Sequence, residues 1–414
     1  MFVINDTLGA YGGSHTLMLR MCKWLSMNGI KSAIICDVAT NDEIVNQLNE
    51  YGTQIICTNL YNIKEAAATV SGLLEQEPIK VVSFNFYSYL NLESVKKRAG
   101  LAFDHFMYCI HPRSFDKGAS ISNRFLKKIY LGGYRRLYLR MHHNNAVIMM
   151  DKINEEASNN IYNVHEQFPI IPLPMFCDKS DDAESIITNG YSSNLIMTAA
   201  RAEFPFKGYI IGLIDDFAEL KKDYPSLKLS IVSAGDDIDE VKEKIEALPT
   251  DIARDVELVS WLPYEKLLET IKACKVFVGM GTSVLDAALQ FKPGVVVEYD
   301  TYENISDHLI AEAPDRFTLD KGCRERAIEI IRRVLSLDAD EYHKEALRSF
   351  LKVSEYYDIN YNMKKFLECK NIRTKSVLNI FDYCRHIVNN HVNYVRNKKK
   401  RVVFDWRKVN KQID

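Results

Sequence analysis

Arg201 and Lys207 stand six residues apart in Ala200-Arg201-Ala202-Glu203-Phe204-Pro205-Phe206-Lys207-Gly208, directly after an apolar run at 195–199. Two cations on a loop leaving a buried strand can stabilise the charge that gathers on a departing nucleoside diphosphate, and no metal is then needed. A solvated surface pair would be spelled the same way. The binding reading gains from the apolar strand ahead of the loop. It gains also from Lys207-Gly208 at a helix start, where a cation is disfavoured unless an anion is bound.

A second candidate is Val276-Phe277-Val278-Gly279-Met280-Gly281-Thr282-Ser283-Val284-Leu285-Asp286. A strand runs into a Gly-x-Gly turn and then a helix, so the first amides, those of Gly281, Thr282, Ser283 and Val284, can meet phosphate oxygens. Asp286, one turn in, can accept hydrogen bonds from ribose hydroxyls. The competing reading makes Ser283 and Asp286 a capping box that needs no ligand.

Two weaker signals lie earlier. Gly12-Gly13-Ser14-His15 opens an amphipathic helix, where adjacent glycines let backbone approach a phosphate or sugar, although a tight strand-to-helix turn explains them as well. His111 ends the apolar segment 106–110 and can hydrogen-bond a sugar hydroxyl or the charge developing at a reacting carbon, but a lone His before Pro is usually a loop residue. Asp237-Ile238-Asp239 and Asp338-Ala339-Asp340 have a D-x-D form, yet each sits where a helix is about to begin and acids are favoured there anyway. No metal is assigned.

The elements that must position these residues alternate along the chain. Strands are predicted at 2–5, 32–36, 54–57, 80–86, 105–110 and 146–150, then at 194–199, 228–233, 255–258, 275–279 and 294–298, with helices between them, including 208–223, 237–247, 264–273 and 283–290. This is the pattern of parallel βαβ units, stated twice. Three prolines at 169, 172 and 174, followed by a polar stretch, mark the junction. The expected division is a first Rossmann-like domain at 1–175 on the acceptor side, a linker at 176–190, a second at 191–345 on the nucleotide side, and helices plus a basic tail at 346–414, partly packing back on the first. Helices are expected at 324–337, 341–357 and 373–390. Two such α/β domains facing each other place a ligand in the cleft at the carboxyl ends of their strands.

The chain has 414 residues, 47% hydrophobic and 26% charged, too long for one ordinary core and suited to two. Lys plus Arg (53) nearly cancel Asp plus Glu (55), so overall charge names no partner. Nine scattered cysteines without C-x-x-C pairs read as reduced core residues of a cytoplasmic protein. The opening residues already read as a strand, leaving no signal peptide, and no stretch approaches the ~20 apolar residues of a membrane span.

The Arg-x5-Lys-Gly pattern at 201–208, the glycines at 12–13, His111 and the Gly-x-Gly-x-x-x-Leu-acid-Ala pattern from 279, with Pro293 following, occur in the order seen in family 4 glycosyltransferases, which this chain resembles from about residue 1 to 345. The resemblance implies a GT-B fold of two Rossmann-like domains with a helical closure. It implies transfer from a nucleoside-diphosphate sugar with retention of configuration and without a metal or other cofactor. By it, Arg201 and Lys207 hold the diphosphate, Gly12, Gly13, Gly281, Thr282, Ser283 and Val284 cradle the donor, Asp286 holds the ribose and His111 faces the donor sugar. The family's two glutamates separated by seven residues correspond here to Val278 and Asp286, which bears on donor identity and on turnover.

The expected partners are a sugar nucleotide and a carbohydrate or lipid-linked acceptor of bacterial surface polysaccharide; nucleic acid finds no supporting motif. Alternatives are a GT-B-shaped scaffold subunit without turnover, or an epimerase or phosphorylase on the same fold. Cations and aromatics alternate at 124–140, and Arg396-Asn397-Lys398-Lys399-Lys400-Arg401 is basic. Either could rest on an anionic membrane, the tail at about 1 kcal/mol per cation, though a packed helix and a solvated tail are the ordinary explanations.

Overall fold

The structure is a computed structural model that describes residues 1–389 except 9–12, 38, 40, 61, 117–123, 179, 261 and 320–324, with the backbone alone for 124–129. The chain divides into two compact units. One holds Met1–Met150, Asn154–Ile171 and the residues from Met363 onward; the other holds Asp151–Ile153 and Pro172–Asn362.

In the first part of the chain β1 (Phe2–Asn5), α1 (Gly13–Met27), β2 (Ser32–Cys36), α2 (Asp42–Glu50), β3 (Gln54–Cys57) and α3 (Ile63–Gln76) alternate. They are followed by β4 (Lys80–Ser83), α4 (Phe86–Ala99), β5 (Asp104–Cys109), α5 (Arg124–His143), β6 (Val147–Met149) and α6 (Lys152–Tyr162). The six strands form one parallel sheet in the order β3-β2-β1-β4-β5-β6. β1 and β2 are buried along their whole length and β3 at the edge is not, which is why the inner strands are spelled as unbroken apolar runs. Asn41, Asn62 and Asn85 accept the amides of Ile44, Glu65 and Ser88 and so start α2, α3 and α4. The strand expected at 80–86 accordingly stops at Ser83.

The second unit contains α7 (Ala183–Ser192), β7 (Leu195–Ala199), α8 (Tyr209–Leu220), β8 (Lys228–Val232), α9 (Ile238–Glu246), α10 (Thr250–Ala253) and β9 (Val256–Val259). α11 (Tyr264–Lys272), β10 (Val276–Gly279), α12 (Thr282–Leu289), β11 (Gly294–Val296), α13 (Ala327–Leu335) and α14 (Ala339–Tyr357) complete it. Its sheet is again parallel, in the order β11-β10-β7-β8-β9. Read from its own first strand, this repeats the winding of the first sheet.

Several boundaries differ from the expectation. The division falls at Ile171/Pro172, and the segment 176–190 is not a plain linker, because α7 begins at Ala183. α14 stays with the second unit, and the return occurs at Met363, inside an unexpected helix α15 (Ile359–Glu368). The helix expected at 373–390 begins only at 380. Residues 371–377 cannot be helical because their amides bond to side chains of the first unit: Asn371 N–H to Asp104 Oδ1 (3.0 Å), Arg373 N–H to Asn144 Oδ1 (2.7 Å) and Val377 N–H to Glu93 Oε2 (2.8 Å). Of the described cysteines, all free, only Cys22, Cys36, Cys109 and Cys274 are buried, while Cys57 and Cys384 are exposed.

The basic and aromatic stretch 124–140 is part of α5. Its Tyr134, Leu137 and Tyr138, with Met141, pack in a core with Phe86, Phe115 and Tyr162; side chains 124–129 lie outside the described residues. Among the described residues no helix is long and apolar enough to cross a membrane.

Candidate functional site

β7 and β10 are neighbours, paired in parallel through Ile196↔Val276 and Met197↔Phe277. The connections leaving them run to opposite sides, so the carboxyl edge between β7 and β10 is the topological switch point of this sheet, the place where open α/β sheets bind ligands. The loop 200–208 leaves β7 there and the turn 279–281 leaves β10 beside it. The structure thus brings two separately read motifs to one edge.

The loop is held from two sides. Asp237 Oδ2 accepts the Phe204 amide at 2.7 Å, and the Ala202 amide donates to Ala234 O at 2.9 Å. Gly235, at φ 143°, lies so close to Ala202 that a Cβ would collide with its carbonyl oxygen. On the other side the Asp300 amide donates to Phe206 O at 3.1 Å. Asp237 is therefore a loop anchor at the N-cap of α9, and Asp338 forms a capping box with Glu341 at the start of α14. Among the described residues no three His, Cys, Asp or Glu side chains converge as a metal site.

Arg201 is exposed and Lys207 half-buried. Neither makes an ion pair or side-chain hydrogen bond with another described residue. Burial pushes the Lys207 ammonium below its ordinary pKa; Glu203 pulls it up, and the positive charge of Arg201 pushes it further down. Two cations near enough to oppose each other form a site that an anion would relieve.

At the neighbouring turn Gly281 has φ 70° and ψ −144°, a conformation open to glycine alone, and it is the N-cap of α12. The Gly281 amide is already committed to Phe317 O at 2.8 Å. The amides of Thr282, Ser283 and Val284 begin the helix, where no carbonyl of their own helix is in reach. The capping box read for Ser283 and Asp286 does not form. Ser283 Oγ donates to Met280 O at 3.2 Å, and α12 has no side-chain cap. Asp286 is 4% exposed and accepts the Tyr264 hydroxyl from α11 at 2.8 Å.

Val278 is fully buried inside β10, opposite Val295 of β11. Counting back from Asp286 lands in the strand because only Met280 and Gly281 separate β10 from α12, so this position does not present a side chain on the turn.

In the first unit Gly12 lies outside the described residues, and Gly13, exposed, begins α1. His111 follows β5, and its Nδ1 accepts the Arg113 amide at 3.0 Å, which puts the proton of the neutral ring on Nε2. Around the end of β1 stand residues that motif reading passed over. Asp6 Oδ1 accepts Asn85 Nδ2 (2.6 Å) and the Thr7 amide (2.8 Å), and burial pushes its carboxyl up in pKa against those bonds and His15. His15 is 6% exposed, its Nε2 faces Thr7 O at 3.0 Å, and its Nδ1 is buried without a hydrogen-bond partner among the described residues. β1 and β4 flank this sheet's own switch point. Only the strand order, absent from local spacing, singles these residues out.

The architecture is that of GT-B glycosyltransferases. HepE of Anabaena, solved with UDP and glucose, superposes with a TM-score of 0.61 at 12% identity over 89% of this chain and 98% of its own. A glycosyltransferase of Rickettsia africae gives 0.63 at 14% over 89% and 96%. TarM of S. aureus, solved with Fondaparinux, alpha-GlcNAc-glycerol and UDP, gives 0.55 at 15% over 89% and 98%. The likeness is one of fold: no protein-family model and no curated protein matches the sequence.

Proposed function

We propose that this chain is a retaining glycosyltransferase that moves a sugar from a nucleoside diphosphate to a carbohydrate or lipid-linked acceptor, in bacterial surface-polysaccharide assembly and at the cytoplasmic face of an anionic membrane. The observation that carries the reading is the unpaired cation couple Arg201 and Lys207 beside the open amides of α12 at the switch point of the second sheet. Solved relatives in fold that hold UDP support it.

In this mechanism the acceptor hydroxyl attacks the face that the diphosphate leaves, and the departing phosphate oxygen takes its proton. Arg201, Lys207 and the amides of Thr282, Ser283 and Val284 then receive the charge that grows on the diphosphate, in place of a metal ion. Gly13 approaches the donor, His111 faces its sugar and Asp286 its ribose. The protein's contribution is positioning and charge stabilisation.

The test is a thermal-shift titration against UDP, GDP, ADP, TDP and CMP with and without magnesium. A ligand at 100 times its Kd stabilises the native state by about 2.7 kcal/mol. Stabilisation by one diphosphate, insensitive to magnesium and weakened by Arg201→Ala, is the expected result and names the base. No response to any nucleotide would overturn the donor site and leave a scaffold subunit on the same fold.

A further inference from the structure

Cys36 and Cys57 are the last residues of β2 and β3 and stand opposite each other in the register of that parallel pair. Neighbouring strands run about 4.8 Å apart, and side chains in register leave the same face of the sheet. The two Cα atoms therefore lie within the span of about 4.4–6.8 Å that a disulfide bridges. Both residues are free thiols, and their sulfurs stand only 3.7 Å apart. Side-chain rotation, without movement of either strand, can close the remaining gap. The register continues past the strand ends, where the Thr58 amide donates to Cys36 O at 2.9 Å.

The two thiols are not equivalent. Cys36 is buried, and burial, with Cys57 and Asp37 beside it, pushes its thiol up to about 12. Cys57 is exposed, at the end of the strand that forms the edge of the sheet. A free cysteine in a core behaves as a small apolar residue, which accounts for Cys36 but not for an exposed thiol set against it. An accessible sulfur backed by a second one close by is the arrangement that first accepts and then resolves a mixed disulfide.

We infer that Cys36 and Cys57 form a thiol–disulfide exchange site, which a small disulfide such as oxidised glutathione converts to an intrachain disulfide. The Cys57 thiolate attacks one sulfur of the incoming disulfide, whose S–S bond breaks, and the first small thiol leaves with the proton that Cys57 gave up. Cys36 then attacks the Cys57 sulfur of the mixed disulfide, and the second small thiol departs with the proton of Cys36. The protein pair is oxidised by two electrons, and one small disulfide is reduced to two thiols. The new bond ties β3 to β2 at the carboxyl edge of the first sheet, beside the loop in which Ala39 pairs with Leu8 ahead of α1. A disulfide exposed at such an edge is of the labile kind and opens again under reduction. The inference goes beyond the glycosyl-transfer reading and uses none of its residues.

The test is to incubate the reduced full chain with oxidised glutathione and to follow its thiols by peptide mass spectrometry. The expected product is a pair of peptides joined through Cys36 and Cys57 and lighter by two hydrogen atoms. Because the second step is intramolecular, the glutathionyl form of Cys57 should never exceed roughly a tenth of the total. Dithiothreitol should return both thiols. Cys36→Ala should accumulate the glutathionyl adduct at Cys57, and Cys57→Ser, a change at an exposed position, should leave Cys36 without a crosslink. If Cys36→Ala fails to fold, the wild-type map and Cys57→Ser decide the matter. Accumulation of the adduct at Cys57 in the wild-type chain, a crosslink of Cys36 that survives Cys57→Ser, or no reaction at either sulfur would overturn the inference. These readouts are masses rather than activities, so its failure and failure of the donor reading are told apart.

Discussion

The Tyr264 hydroxyl donates to Asp286 Oδ1 at 2.8 Å, joining α11 to the helix that opens at the candidate diphosphate site. The bond aims a buried carboxylate that the sequence alone allowed to be a helix cap. Tyr264→Phe removes this hydrogen bond, a loss on the order of 1.5–3 kcal/mol for a bond to a charged group. Nucleotide affinity should fall about tenfold in Tyr264→Phe and more in Asp286→Asn, measured by calorimetry on folded protein. A fall in melting temperature with unchanged affinity would reduce Asp286 to a structural residue.

Lys207 supplies a pH signature. Its pKa is held below 10.5 by burial and by Arg201, and a bound diphosphate favours the protonated form. Diphosphate binding should therefore weaken as pH rises through the lowered pKa, because the free enzyme loses the proton that the complex keeps. Lys207→Ala should abolish transfer, keep the fold and flatten that profile. Activity unchanged in Lys207→Ala would remove the site assignment.

Acid stability should report a buried charge cluster in the first unit. Burial pushes the Glu93 carboxyl up, but Lys96 Nζ at 3.2 Å and His105 Nδ1 at 2.8 Å hold it down at about 2. A carboxylate depressed in the fold contributes stability above its unfolded pKa of about 4.5 that is lost as pH falls toward 2. Glu93→Gln should remove this acid-side dependence and, by leaving Lys96 buried without its partner, cost about 3–5 kcal/mol at pH 7 in urea unfolding.

Lys292 should give a slope of the same sign in an alkaline window, from a group whose charged form the fold disfavours. It is fully buried, donates to Ile186 O at 3.0 Å, and burial lowers its pKa to about 8. Between pH 8 and 10.5 the unfolded chain binds the extra proton, so stability rises with pH across that window. Lys292→Met should flatten the rise and raise stability at pH 7 by up to about 3 kcal/mol. A rise that persists in Lys292→Met would assign it to other groups.

The sequence by itself determined the two parallel sheets, because strands buried on both faces must be spelled as short apolar runs and crossover helices as amphipathic ones. All eleven strands stand within a few residues of their expected places. It also marked Arg201, Lys207 and the Gly279–Gly281 turn, whose residue types are unusual for their local positions. Tertiary structure decided what those residues face. Strand order placed the loops after β7 and β10 side by side, the Tyr264 bond replaced the capping box, and the interior of β10 took up Val278. The strap at 371–377 and the late start of the helix at 380 were illegible for the same reason. Their conformations are set by Glu93, Asp104, Asn144 and Arg140, more than two hundred residues away in the chain, and local periodicity carries no record of a partner so distant.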